Sequence, residues 1–189
     1  MDVKLRYHDM RAAKARFAVR FSGTWQRIAT ITTLLFLLVG VACIVLGEAV
    51  GWLLVGLAAI PAMVVEWYNG ELKELAPAKN QTSVTAILDG EILGRLPKNP
   101  TAHDMAQAVG QTRGGQFLGA RLGVTANLLK DITEHVNPSP ESVLSDAIEL
   151  REQLGQSTIT PGVLAFALLR QFSQYEPLLA EINLQPASI

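Results

Sequence analysis

One cysteine, Cys43, is present in the 189 residues of this chain. An intrachain disulfide, a thiol pair and a cysteine-based zinc site are therefore excluded. An excess of charge of either sign is also missing. The formal net charge is −1, which excludes a strongly basic nucleic-acid binder and an acidic solubilising chain. No Gly-x-x-x-x-Gly-Lys-[Ser/Thr] segment occurs, so these residues cannot cradle a nucleotide phosphate in the manner of a P-loop ATPase. Convincing runs of alternating apolar and polar residues, the mark of half-buried strands, are absent. The three histidines, His8, His103 and His135, fall in separate segments. His135 sits near a helix C-terminus, where it complements the dipole. His103 adjoins Asp104, but no serine or cysteine nucleophile is placed to use that pair. No catalytic residue, metal site or cofactor is expected, and the chain reads as a non-enzyme.

What the chain has in excess is apolar sequence. Hydrophobic residues make up 49% and the mean hydropathy is +0.25. One region accounts for this: residues 28–65 hold a single charge, Glu48, among 38 positions. Ile28 to Gly47 is 20 residues without a charge, and Ala49 to Val65 is another 17. About 20 apolar residues cross a bilayer as a helix. Gly47-Glu48-Ala49-Val50-Gly51 supplies a tight turn between them. Pro61 falls late in the second span, where a membrane helix tolerates it. Trp25 and Arg27 before the first span, and Trp67 and Tyr68 after the second, are the candidate membrane-interface residues. The competing readings are a hairpin buried in a soluble core, which this much apolar surface disfavours, and a cleaved signal peptide, which the second span disfavours. Gly40 and the Ala58/Ala62 pair suit close helix approach or oligomerisation. Gly47 and Gly51 are read as turn residues.

Seven cations precede the first span, Lys4, Arg6, Arg11, Lys14, Arg16, Arg20 and Arg27, and the turn has none. This bias predicts a cytoplasmic N-terminus, and two spans return residues 66–189 to the same side. Met10, Ala13, Phe17 and Phe21 recur at helical spacing among those cations. The segment reads either as a basic amphipathic helix on anionic headgroups or as a topology signal alone.

The remaining residues carry regular helix signals. Ser83 caps a helix through about Arg95. Thr101, with Asp104 three residues on, has the form of a capping box. Gly114-Gly115 breaks that helix before a short one through Phe117, Leu118 and Arg121. Thr125 caps the next, with Leu128, Leu129, Ile132 and Val136 on one face. Ser139-Pro140 starts another, stopped by Gly155, and Thr160-Pro161 opens an apolar helix from Val163 to Phe172. A last short helix is expected through Leu178, Leu179 and Ile182. Two copies of one pattern emerge at an offset of about 60 residues. Ile87-Leu88-Asp89-Gly90-Glu91-Ile92-Leu93, Thr101 to Val109 and Phe117-Leu118 with Leu122 match Val143-Leu144-Ser145-Asp146-Ala147-Ile148, Thr160 to Leu168 and Leu178-Leu179 with Ile182.

This double pattern resembles the N-terminal (Clp N, or repeat) domain of the Clp-type AAA+ unfoldases, over about residues 82–186. The resemblance is carried by Val143-Leu144-x-x-Ala147, by the capped leucine-rich run Thr160 to Leu169, and by Leu178 to Leu184 with its counterpart Phe117 to Val124. The family's Glu-His-Leu-Leu opening is replaced by His103-Asp104-Met105 in one copy and Gly162-Val163-Leu164 in the other. The resemblance implies a recognition module for substrate proteins or adaptors, working with an AAA+ ATPase in cis or in trans, without cofactor or nucleic acid. The closing residues Gln185 to Ile189 read as the start of a linker to such an ATPase. The candidate peptide- or adaptor-binding residues are Phe117, Arg121, Phe166, Phe172 and Tyr175.

The expected fold class is all-α. A basic amphipathic segment (1–27) precedes a two-helix transmembrane hairpin (28–66). A linker (67–81) leads to a small duplicated, pseudo-two-fold helical bundle of the Clp N type (82–186). The expected location is a bacterial inner membrane, multi-pass, with both termini cytoplasmic, and a homo-oligomer is compatible. The alternative function is a structural membrane scaffold that uses the helical domain as a docking surface.

Overall fold

The structure is a computed structural model that describes residues 5–72, 75–78 and 82–171. Every regular element among the described residues is helical, apart from a single bridge between Leu88 and Ile159. Ten α-helices follow in order: α1 (Met10–Phe21), α2 (Thr24–Val45), α3 (Val50–Trp67), α4 (Val84–Ile87), α5 (Gly90–Arg95), α6 (Ala102–Gln111), α7 (Arg113–Leu122), α8 (Ala126–Val136), α9 (Pro140–Gln153) and α10 (Pro161–Arg170). The chain forms two compact units. One is Lys14–Leu75; the other joins the residues up to Ala13 with those from Ala76 onward.

In the unit Lys14–Leu75, α2 and α3 form a hairpin. Gly47, at φ +81, makes the turn, a conformation that only glycine adopts without strain. The two helices meet at Gly40 and Gly51, both buried. A Cβ on Gly51 would lie 2.6 Å from the Gly40 carbonyl oxygen and 2.7 Å from the Ile44 nitrogen. Gly51 therefore serves helix packing, not the turn that its place beside Glu48 suggests. Ala58, seven residues or about two turns further on, is also buried. A wide π-type turn, Tyr68–Leu72, prolongs α3 past the end of the sequence-predicted hairpin at residue 66.

The two spans, Thr24–Val45 and Val50–Leu72, are long and apolar enough to cross a membrane. Only 6% and 11% of their apolar windows is buried within the protein. At 1.5 Å per residue the 22 residues of α2 extend about 33 Å, close to the ~30 Å of a bilayer's hydrocarbon.

The second unit is built around α10. Val163, Leu164, Ala165, Ala167, Leu168 and Leu169 of this helix are all buried. It packs against α6, α7, α8 and α9. Met105 and Val109 of α6, Leu129 of α8, Val143 of α9 and Ile87, Leu88 and Ile92 of the α4–α5 region complete the core. α6 and α8 approach so closely that a Cβ on Gly110 would lie 2.2 Å from the Ala126 Cβ.

Four of the five caps expected from the sequence form; Ser83 precedes α4 but its side chain makes no capping bond, and Asp89 and Thr112 are further caps. Thr101, Thr125, Ser139 and Thr160 each accept a backbone N–H of the following turn, and Thr101 with Asp104 forms a full capping box. Two elements differ. The helix expected from Ser83 to Arg95 is broken at Leu88-Asp89. There the Asp89 N–H donates to the Ile159 carbonyl and the Ile159 N–H to that of Ile87, while the Asp89 carboxylate caps α5. Nonlocal pairing with a strand-like neighbour displaces two helical bonds. Gly114-Gly115 does not end α6, which stops at Gln111; both glycines lie in the first turn of α7.

The N-terminal segment differs more. The residues buried along α1 are Ala12 and Ala15, whereas Met10, Ala13 and Phe17 are exposed. Arg11 explains why residues before the hairpin join the unit that follows it. Its guanidinium donates to the carbonyls of Thr85, Leu88 and Ala76, and the Arg6 N–H donates to the Thr85 hydroxyl. Burial lowers the Arg11 pKa, opposed by the charges of Asp89 and Asp9. The division between the units thus falls inside the segment 1–27 at Ala13, and the linker 67–81 is partly helical.

Candidate functional site

Helix α7 presents apolar side chains to solvent. Its start is rigidly held. The buried Thr112 hydroxyl donates to the Val109 carbonyl at 2.7 Å and accepts the Gly115 N–H at 3.0 Å, so α6 ends and α7 begins within one residue. A Cβ on Gly115 would lie 1.9 Å from the Val109 oxygen, so this turn requires glycine. The Glu91 carboxylate accepts the Arg113 N–H at 3.2 Å, placing a negative charge at the helix N-terminus. Gly114 lies against Pro161 at the start of α10.

From that anchored start α7 runs outward. Phe117 is 61% exposed and Leu122 is 52% exposed. The Arg121 guanidinium lies 5.7 Å from the centroid of the Phe117 ring, one helical turn away. Such a contact holds a ring flat on the helix at modest energy, about 0.5–1 kcal/mol at an exposed site. Leu118, on the neighbouring line, is half-buried. The result is an aromatic, a guanidinium and a leucine facing outward on a helix braced at one end. This combination suits apolar contact with another polypeptide.

Phe166 lies half-buried on α10 between the buried Ala165 and Ala167. Phe172 and Tyr175 lie outside the described residues. Leu122 joins Phe117 and Arg121 as an exposed residue that sequence reasoning placed in the repeat but not in the site. Its signal was its position just before the left-handed Gly123.

The second candidate surface is the open end of the hairpin. Phe17 stacks on Phe21 at 5.6 Å and meets Trp67 at 5.7 Å, and Phe21 meets Tyr68 at 5.3 Å. The Trp67 indole N–H donates to Glu71 at 2.9 Å, and the Lys14 ammonium lies 3.6 Å from the same carboxylate. The Gln26 amide donates to that of Asn69 at 3.2 Å, joining the two arms. Trp25 and Arg27 are exposed, and Trp67 is partly so. Tyr68 is only 6% exposed, because Phe21 covers it. Trp52, 69% exposed near the turn, is an aromatic at the opposite end that the sequence reading passed over.

Among the described residues no group of three His, Cys, Asp or Glu side chains is placed to hold a metal ion. His103 lies 3.7 Å from Glu134, joining α6 to α8 at the surface. The ring Nδ1 of His135 lies 2.6 Å from the Asp131 carbonyl in the last turn of α8.

Comparison with family models, with curated proteins and with solved structures finds no match to this chain.

Proposed function

We propose that this chain is a membrane-anchored docking module. Its hairpin crosses the bilayer and tethers a helical unit that captures substrate polypeptides or adaptors for a Clp-type AAA+ unfoldase. The observation that carries the docking role is the exposed Phe117–Arg121–Leu122 face on α7. The membrane role is supported by two span-length helices that leave nearly all their apolar surface outside the protein. A core helix of a soluble protein would be mostly buried.

Both termini on one side is supported by the Arg11 contacts. Residues before the first span and after the second bond to each other in one compact unit, which a bilayer between them would forbid. The seven cations before the first span support a cytoplasmic side.

The link to an unfoldase rests on the resemblance; of its internal repeat, α6 and α10 agree in length, whereas the broken α4–α5 and the 14-residue α9 do not. Thr160 lies 59 residues after Thr101; each caps a ten-residue helix, α6 and α10, and the two pack together. The counterpart of α7 in the second half would lie beyond Gln171, outside the described residues.

The test uses the full chain in lipid nanodiscs and a fluorescent unstructured polypeptide such as casein. Binding is expected for the parent and a loss of at least ten-fold for Phe117→Ala with Leu122→Ser. Undiminished binding by the variant, or none by the parent, overturns the docking site. Retention in the bilayer without polypeptide binding would favour the scaffold reading instead.

A further inference from the structure

The fold does not use all the cations at the open end of the hairpin. Lys14 pairs with Glu71. Arg16 is half-buried and engaged. Arg20 and Arg27 are exposed, and among the described residues their guanidinium groups have no hydrogen-bond or ion-pair partner. The described carboxylates at this end are Glu66 and Glu71, and Glu71 already serves Lys14 and the Trp67 indole.

The same end of the hairpin carries rings that are also partly open. Phe17 is exposed on α1, Trp25 sits in the first turn of α2, and Trp67 ends α3. The Gln26–Asn69 bond lies at the same end and marks where polar side chains replace the apolar surface of the spans. Exposed rings at the edge of an apolar helix, with unpartnered arginines on the adjoining turns of α1 and α2, match the layering of a lipid surface. Rings prefer the ester level and cations the phosphate level. Guanidinium suits a phosphodiester because its planar fork donates two parallel bonds to the phosphate oxygens.

We propose that Arg20 and Arg27, framed by Phe17, Trp25 and Trp67, form a binding surface for anionic phospholipid headgroups in the leaflet that the hairpin enters. The inference rests on the bilayer reading of α2 and α3. It assigns the unpaired cations a ligand, rather than a role in topology alone. The occupant is a lipid because these cations lie at the end of the two helices that, among the described residues, are long and apolar enough to cross a membrane.

The experiment places the full chain in vesicles of phosphatidylcholine with a minority of spin-labelled phosphatidylglycerol. Retention after alkaline washing is measured separately. The parent is expected to enrich phosphatidylglycerol at its surface. Arg20→Gln with Arg27→Gln should lose about five-fold for each arginine, while Arg20→Lys with Arg27→Lys keeps most of the preference. An unchanged preference in the glutamine variant, still retained in the vesicle, overturns the proposal. So does displacement of the labelled lipid by excess inorganic phosphate, which would mean a free-anion site. If the parent is washed out of the vesicles, the bilayer reading itself fails and the proposal falls with it.

Discussion

The Arg11 guanidinium donates to the Leu88 carbonyl at 2.8 Å, joining two residues 77 positions apart on opposite sides of the hairpin in sequence. The same nitrogen also donates to Thr85, in the turn of chain before the α4–α5 break. These carbonyls belong to a region whose helical ladder is interrupted at Leu88-Asp89, so their acceptors need a donor from elsewhere. A cation on the N-terminal helix supplies it.

Arg11→Met keeps the apolar stem and removes the donors. It is expected to destabilise the α4–α5 region by about 2 kcal/mol, the loss of charge-assisted bonds to part-buried carbonyls. Hydrogen exchange at the Leu88 and Asp89 amides should speed up by roughly 30-fold, with α8 and α9 less affected. Arg11→Lys should restore little, because an ammonium cannot span the carbonyls of Thr85, Leu88 and Ala76 as the guanidinium fork does.

The same contacts predict sidedness. With Cys43 replaced by serine, single cysteines at His8, Glu48 and Gln116, all exposed, can be labelled by an impermeant maleimide in sealed vesicles. His8→Cys and Gln116→Cys should react from one side and Glu48→Cys from the other. Labelling of all three from the same side would sink the two-span topology.

Gly51→Ala should separate α2 from α3. The new methyl would meet backbone atoms, the Gly40 carbonyl at 2.6 Å and the Ile44 nitrogen at 2.7 Å, which cannot turn aside. A cost of about 1–3 kcal/mol is expected in mixed-micelle unfolding. Gly56→Ala is the control, since nothing lies within 4 Å of a Cβ there.

Gly110 and Gly119 should respond to alanine with opposite signs. At Gly110 the methyl would meet the Ala126 Cβ at 2.2 Å, forcing α6 from α8 at about 1–3 kcal/mol. At Gly119 the nearest atom is 3.6 Å away, an ordinary contact. Gly119→Ala should therefore stabilise α7 by up to ~1 kcal/mol through helix propensity. Thermal unfolding of the full chain in detergent reads both.

The positions of the helix starts were legible because they are local. A threonine or serine before an apolar repeat favours capping the helix that follows, so Thr101, Thr125, Ser139 and Thr160 could be read one segment at a time. The hairpin was legible for a related reason. A run of apolar residues long enough for a bilayer contains its own signal, and Glu48 with its flanking glycines marks the turn. Part of the candidate face was legible as well. Phe117 and Arg121 could be named from their place in the repeat, but their exposure could not, because an aromatic at helical spacing is more often core than surface.

Sequence alone determined the helical class, the caps at Thr101, Thr125, Ser139 and Thr160, and the two apolar spans, since each follows from neighbours within a few turns. Tertiary structure decided the rest. It broke the helix at Leu88-Asp89, because Ile159, 71 residues beyond Leu88, offers bonds that no local pattern announces. It turned Gly51 from a turn residue into a packing surface and buried Tyr68 under Phe21. It also set Arg11 on the carbonyls of Thr85 and Leu88, 74 and 77 positions away, whereas Arg20 and Arg27 have no partner among the described residues. The physical reason is common to all of these. Capping and hydropathy act along the chain, whereas the acceptor a cation finds, and the face a glycine opens, depend on which distant segment packs beside it.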